Sequence, residues 1–187
     1  MATIDELLEK TKARMSKAIE ALRGDLTSIR TGRATPSLLD RIKVDYYGTP
    51  TPINQVANIS VPEPRMMLIT PWEKTMIKPI EKAIQTSDLG INPNSDGSAI
   101  RLNLPQLTEE RRKELVKSVN KKGEASRIEI RNIRRDVNDA LKKQLKAKTI
   151  TEDAEKAAVE KAQKLTDQYM KDIDKVLAAK EKEVMEV

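Results

Sequence analysis

The chain has no histidine and no cysteine among its 187 residues. Ser-His-Asp and Cys-His catalysis are therefore excluded, as are zinc sites built from imidazole or thiolate ligands. Disulfide bonds are excluded for the same reason. The sequence also lacks the glycine-rich loops that cradle phosphates in P-loop and dinucleotide-binding proteins. We therefore expect no catalytic residues, no cofactor and no metal.

Aromatic residues are scarce and long hydrophobic runs are missing. The chain contains no phenylalanine, one tryptophan and three tyrosines, so its core has to be built from aliphatic side chains and methionine. No stretch approaches the roughly 20 apolar residues of a membrane-spanning helix. The N-terminus lacks the basic and apolar segments of a secretion signal. We expect a cytoplasmic protein with no membrane segment.

Charged residues make up 34% of the chain, and the excess of positive charge is local. Residues 108–148 contain 14 Lys and Arg against 7 Asp and Glu, whereas the whole chain has a net charge of +6. A basic surplus confined to one segment indicates a surface for a polyanionic partner.

Helical periodicity occupies both ends of the chain. Apolar residues recur every three or four positions over about residues 3–29 and again from residue 108 to about 148, as at the seam of a helical bundle. A last helix continues toward the C-terminus. Predicted capping boxes open the first helix at Thr3 and Glu6 and the last at Thr149 and Glu152. Three helices of this kind predict a bundle.

The middle of the chain has a different composition. Eight of the nine prolines lie between Pro36 and Pro93, and the ninth, Pro105, closes this region. Alternation of polar and apolar residues predicts short strands, and one segment has helical spacing. The predicted strands are residues 38–47, 53–61, 65–70 and 100–104, and the predicted helix is residues 73–86.

These patterns predict an α+β fold, in which an elongated antiparallel three-helix bundle is interrupted by a small inserted α/β domain. The bundle would comprise residues 1–30 and 106–187, and the insert residues 31–105. Two linkers with few crossing contacts would act as a hinge. The predicted hinge residues are Arg30, Thr31, Gly32, Arg33, Ala34, Leu104, Pro105 and Gln106.

The second long helix carries a cationic stripe beside its apolar face. Arg127, Arg131 and Arg134 are spaced four and three apart, so they share one face, and Arg135 and Lys142 widen it. Arginine forks match phosphate geometry better than lysine does, which favours nucleic acid as the partner. With no aromatic platforms for stacking, binding would follow backbone and shape. The apolar face beside the stripe consists of Val119, Ile130, Ile133, Val137 and Leu141.

Other interpretations remain open at this point. A charged stripe often does no more than solvate a helix, although the acidic neighbours Glu129 and Asp136 point largely elsewhere on the helical wheel. A coiled-coil-like protein that self-associates would leave a long apolar stripe uncovered. A metal-dependent phosphoryl enzyme would need clustered carboxylates, whereas those of this chain are scattered among Lys and Arg.

Three further expectations concern single residues. Trp72 is expected in the core of the insert. Tyr46 and Tyr47 are adjacent in a predicted strand, so one ring should be buried and the other exposed. Ile128 lies off the apolar face of its helix and should be exposed.

Five segments that lie in order along the chain and in both predicted domains closely resemble the bacterial ribosome recycling factor family. Departures from the family pattern are small. Gly123 stands where the family often has alanine, and Val137 also stands where alanine is usual. The segments are RTGRATPSLL from Arg30, YYGTPTP from Tyr46, SDLGINPNSDGSAIR from Ser87, PQLTEERRKELVK from Pro105 and RNIRRDVNDALKK from Arg131.

The resemblance implies an L-shaped monomer that acts on the post-termination ribosome with the GTPase elongation factor G. The two factors would separate the subunits and release messenger RNA and deacylated transfer RNA. The bundle would lie against large-subunit ribosomal RNA near the intersubunit face. Arg112, Arg131 and Arg134 match functionally important arginines of the family. The candidate RNA-binding residues are therefore Arg112, Arg127, Arg131, Arg134 and Arg135.

Overall fold

The computed structural model describes residues 1–186, which form two compact units. One unit combines Met1–Ile29 with Glu110–Glu186, and the other is Arg30–Glu109. The first is helical and the second contains the sheets, so the predicted α+β class is confirmed. The elements in chain order are α1 Ile4–Thr27, β1 Lys43–Tyr46, β2 Thr49–Pro52, β3 Ala57–Glu63, β4 Met66–Pro71, α2 Ile77–Gln85, β5 Asn94–Ser95, β6 Ile100–Asn103, α3 Glu109–Lys146 and α4 Glu152–Met185.

Side-chain caps begin two of the long helices, one as predicted and one differently. At α1 the backbone N–H of Thr3 donates to Glu6 Oε2 at 2.8 Å, and that of Glu6 donates to Thr3 Oγ1 at 3.2 Å. The predicted capping box at Thr149 is wrong. The N-cap of α4 is Thr151, whose Oγ1 accepts from the backbone N–H of Ala154 at 3.1 Å. The hydroxyl of Thr149 instead donates to the carbonyl of Gln144 in the last turn of α3. Thr149 therefore belongs to the turn that joins α3 to α4 and does not cap α4.

The bundle core is formed by the apolar faces of α1, α3 and α4. All five residues of the predicted apolar face of α3 are buried. Within the described residues the three faces cover one another, which leaves no long apolar stripe of the kind a self-associating coiled coil would need. The buried residues of α1 are Thr11, Met15, Ile19, Leu22 and Leu26, and the largest of α4 are Ile173, Leu177 and Val184.

The other unit contains two small antiparallel sheets. Strands β1 and β2 form a hairpin, and a four-stranded sheet has the order β3-β4-β6-β5. Several predicted elements begin later than expected, because short 3-10 turns precede them at Pro36–Leu39, Ile53–Gln55 and Lys74–Met76. Pro36 begins the first of these turns, and proline favours a tight turn there because it has no N–H to donate to a neighbouring strand. The core between sheet and helix is aliphatic, with Ile69, Ile80, Ile84, Ile100 and Leu102 fully buried.

Trp72 does not lie in this core, so that prediction is wrong. Its side chain is 68% exposed, and its backbone N–H donates to the carbonyl of Val56 at 3.2 Å. The reason is the two-residue period of β4, in which Met67, Ile69 and Pro71 are the buried positions. Trp72 follows at an outward position, and the aliphatic side chains have already filled the interior.

Gly123 lies in the middle of α3, where the helix approaches α4 closely. A Cβ atom placed on Gly123 would lie 2.8 Å from Leu177 Cδ2 and 3.1 Å from its Cγ, with Cδ1 closer still. Leu177 is itself buried in the bundle core, so its side chain has little room to turn away. Glycine here therefore permits the approach of the two helices.

We predict that Gly123→Ala destabilises the bundle although alanine is the better helix former. The gain of about 1 kcal/mol in helix propensity is outweighed by overpacking, which costs about 1–3 kcal/mol. Urea unfolding followed by helical circular dichroism measures the difference. In a double-mutant cycle with Leu177→Ala, the alanine at position 123 should be less costly, and strict additivity of the two changes would contradict the contact.

Candidate nucleic-acid interface

The predicted arginine stripe follows the edge of α3 that adjoins α4. Two of its members contact α4 directly. Arg127 Nη2 donates to Asp174 Oδ1 at 2.7 Å, and Arg134 Nη1 donates to Gln163 Oε1 at 3.2 Å. Arg131 and Arg135 lie further round the helix and are exposed to solvent. The structure thus divides the stripe into a pair at the helix seam and a pair that faces outward.

Arg127 is the most engaged of these residues. Besides Asp174 it pairs with Glu124 at 3.4 Å, and only 28% of its side chain is exposed. The hydrogen bond to Asp174 is the main reason why the pKa of Arg127 is raised, and partial burial opposes it. The spacing of the arginines predicted neither acidic partner, and Asp174 comes from another helix. Arg127 therefore ties α3 to α4 and offers little free guanidinium to a ligand.

Arg131 and Arg135 are the members that remain accessible. Arg131 Nη1 donates to Glu124 Oε1 at 3.2 Å, but 48% of its side chain is exposed and such surface pairs are weak. Arg135 has no ion-pair partner within the described residues and lies one turn further along the helix. Ile128 lies on the same side, one turn before Arg131, and is 49% exposed, as the sequence predicted. This outward surface of α3 can meet phosphates without breaking a strong internal contact.

Arg112 is not part of this surface. It precedes Arg131 by 19 residues, which corresponds to roughly 28 Å along a helix axis. Its Nη1 donates to the carbonyl of Met185 at 3.2 Å, and its Nε is buried without a hydrogen-bond partner among the described residues. Arg112 therefore satisfies an orphan carbonyl at the end of α4 and belongs to the terminus of the bundle.

The first predicted linker contains a glycine that other residues could not replace without strain. Gly32 has a φ of +77°, in the left-handed region, and a Cβ there would lie 3.1 Å from Leu107 Cγ. Its neighbours are partly held, because Thr31 is buried and Arg30 Nη1 donates to the carbonyl of Leu89 at 3.4 Å. Arg33 is exposed.

Both predicted linkers are attached to one turn of the sheet. The N–H of Ala34 donates to the carbonyl of Pro64 at 2.7 Å, and the N–H of Leu104 donates to that of Arg65 at 2.8 Å. These successive carbonyls lie between β3 and β4, so Ala34 and Leu104 are anchored, whereas Pro105 and Gln106 beyond them are exposed. Neither carbonyl was predicted as an anchor, because Pro64 lies between the predicted strands 53–61 and 65–70 and Arg65 was placed at the start of the second.

Other kinds of site can be assessed over the same residues. Among residues 1–186 no group of three or more acidic side chains is arranged to hold a metal ion. No helix in this part of the chain combines the length and apolar character needed to cross a membrane.

Comparisons with known proteins agree on one family. The family model described as ribosome recycling factor matches residues 22–185. The ribosome-recycling factor of Syntrophomonas wolfei is 58% identical over 98% of this chain and 100% of its own length. A solution structure of a ribosome recycling factor covers the whole of both chains at 40% identity, with a TM-score of 0.77.

A second solved structure adds a functional context. It contains models for the T. thermophilus ribosome recycling factor and the E. coli elongation factor G bound to the E. coli post-termination complex. The recycling factor in it is 44% identical to this chain, with a TM-score of 0.64 over 98% of this chain and 100% of its own. With a family model over most of its length and full-length relatives up to 58% identical, this chain belongs to the ribosome recycling factor family.

Proposed function

We propose that this chain recycles ribosomes after translation has terminated. It binds the post-termination ribosome in the cytoplasm and, with elongation factor G, separates the subunits so that messenger RNA and deacylated transfer RNA leave. It catalyses no reaction itself, and the GTP is hydrolysed by its partner. The observation that supports this most strongly is the outward arginine surface of α3 in a chain of this family.

In this proposal the helical unit anchors to large-subunit ribosomal RNA near the intersubunit face. Arg131 and Arg135 supply the phosphate contacts, Arg134 adds to them from the helix seam, and Arg127 holds the seam together. Because each phosphate contact releases counterions, binding should depend strongly on salt. Arg112 contributes indirectly, because it closes the terminus of the bundle through the carbonyl of Met185.

The insert acts as the moving part. Residues 31–105 swing about the linkers that join them to residues 1–30 and 106–187, and elongation factor G drives the movement. The hydrogen bonds of Ala34 and Leu104 to the turn between β3 and β4 support a pivot just outside those two residues. The left-handed Gly32 and the exposed Pro105 lie within that pivot.

Subunit splitting is the direct test of this function. Purified chain, elongation factor G and GTP should lower the light scattering of post-termination ribosomes as the subunits separate, and omission of any one of the three should stop the change. A chain that binds these ribosomes but never separates them in the complete mixture would contradict the proposal.

We predict that Arg131→Ala weakens ribosome binding by about tenfold, the loss expected for one charged hydrogen bond, and flattens the salt dependence by about one unit of slope. Cosedimentation with ribosomes across a salt series measures both. Lys10→Ala removes one positive charge from an exposed position on α1 and is the matched control. Equal effects of Arg131→Ala and Lys10→Ala would mean that net charge alone governs binding.

Arg127→Ala should instead lower the free energy of unfolding by up to about 1 kcal/mol through loss of a surface ion pair.

We predict that Gly32→Ala slows subunit splitting while leaving ribosome binding unchanged. Alanine at a φ of +77° is strained and would press on Leu107, so the pivot would shift, whereas the arginine surface lies elsewhere in the chain. Gly24→Ala is the matched control, because a Cβ at this helical position meets nothing within 4 Å. Unimpaired splitting by the Gly32→Ala variant would show that this linker is only a connector.

A further inference from the structure

The hairpin of β1 and β2 has an unusual residue at its tip. Tyr47 and Gly48 form the two-residue turn, with φ values of 50° and 82°. Turns of this type favour Asn, Asp or Gly at the first position, because a bulky side chain is strained there. Tyr47 nevertheless occupies it, with a side chain that is 80% exposed and so gains little from packing. A tyrosine that strains its turn without filling the core suggests a contact outside the chain.

The ring is held in place by a carboxylate. The hydroxyl of Tyr47 donates to Glu73 Oε2 and that of Tyr46 donates to Glu73 Oε1, each at 3.0 Å. The two rings meet edge to face with centroids 4.7 Å apart. The hydrogen bonds to Glu73 are the main reason why the pKa of both tyrosines is raised. Tyr46 packs against the core, so the exposed Tyr47 ring is presented in a fixed orientation.

Glu73 forms no ion pair within the described residues. Among residues 1–186 this carboxylate has hydrogen bonds to the two tyrosines but no ion-pair partner. A carboxylate that accepts from a phenol makes the ring richer in electrons, and the face of an aromatic ring attracts cations. The same negative charge repels phosphate. Ring and carboxylate together therefore suit a cationic side chain and disfavour nucleic acid.

We propose that Tyr47 and Glu73 form a docking site for an arginine side chain presented by a protein partner. The planar guanidinium stacks on the exposed face of Tyr47, and its positive charge is balanced by Glu73. The preference for a cation follows from the contacts of Tyr47, Tyr46 and Glu73. The inference rests on the proposed function only in placing the partner within the post-termination complex.

The first test uses the purified full-length chain and the peptide acetyl-Gly-Arg-Gly-amide, with its citrulline counterpart as the uncharged control. Titration should give saturable shifts of the Tyr47 ring protons in NMR spectra, and the fluorescence of Trp72, the neighbour of Glu73 in the chain, provides a second readout. The arginine peptide should bind at least about tenfold more tightly than the citrulline peptide. Equal binding of the two peptides would overturn the proposal.

Variants separate this role from a structural one. Tyr47→Asn places a residue that tolerates positive φ in the turn, so folding should be unaffected or improved while arginine binding is lost. Glu73→Gln keeps the side-chain shape but removes the charge and should weaken binding severalfold, whereas Arg131→Ala should leave it unchanged. Binding that survives Tyr47→Asn would overturn the proposal, because the ring would then play no part.

The second test identifies the class of partner. The photoreactive amino acid p-benzoylphenylalanine, introduced at position 47, is irradiated in purified post-termination complexes with elongation factor G. The expected product is a crosslink to an arginine-containing peptide of a protein. Crosslinks confined to RNA, or none in complexes that cosediment normally, would overturn the inference. If the wild-type chain fails to split ribosomes, the proposed function fails while the peptide titration still decides the site.

Discussion

Burial of the apolar face of α3 is the constraint on which the rest of the bundle depends. Val119, Ile130, Ile133, Val137 and Leu141 are all buried, and each such side chain contributes roughly 1.5–3 kcal/mol. The surface ion pairs of the same helix contribute at most about 1 kcal/mol each. Hydrophobic burial therefore decides the rotation of α3, and the arginines take the positions that this rotation leaves them.

That rotation gives chemically similar arginines different tasks. Those nearest the seam, Arg127 and Arg134, meet Asp174 and Gln163 of α4. Arg131 and Arg135 lie beyond the reach of α4 and remain open to a ligand. Close approach of the helices at Gly123 is part of the same arrangement, because Leu177 occupies the space that a side chain there would need. The rotation of one helix thus decides which arginines contact α4 and which are exposed to solvent.

The insert follows a different principle. Its core is aliphatic, and its aromatic residues lie at the edge or outside, with Trp72 and Tyr47 among the most exposed large side chains of the described residues. Both carboxylate oxygens of Glu73 accept hydrogen bonds from tyrosines, and Glu73 has no ion-pair partner among residues 1–186. In our proposals the arginines of the helical unit meet phosphates while Tyr47 and Glu73 of the insert meet a cation, so the two units bind partners of opposite charge.

The sequence by itself determined the class of fold, the helices and the aliphatic nature of the core, because periodicity and composition act locally along the chain. The capping box at Thr3, the buried face of α3 and the exposure of Ile128 follow from the same local rules. What only the tertiary structure decided were contacts between residues far apart in sequence. Asp174 reaches Arg127 across a helix seam, Met185 accepts from Arg112, and one turn anchors both linkers. Trp72 was misplaced because its position depends on the register of β4 and on how completely its neighbours fill the core. Such pairings depend on the packing of whole elements, which no short window of sequence contains.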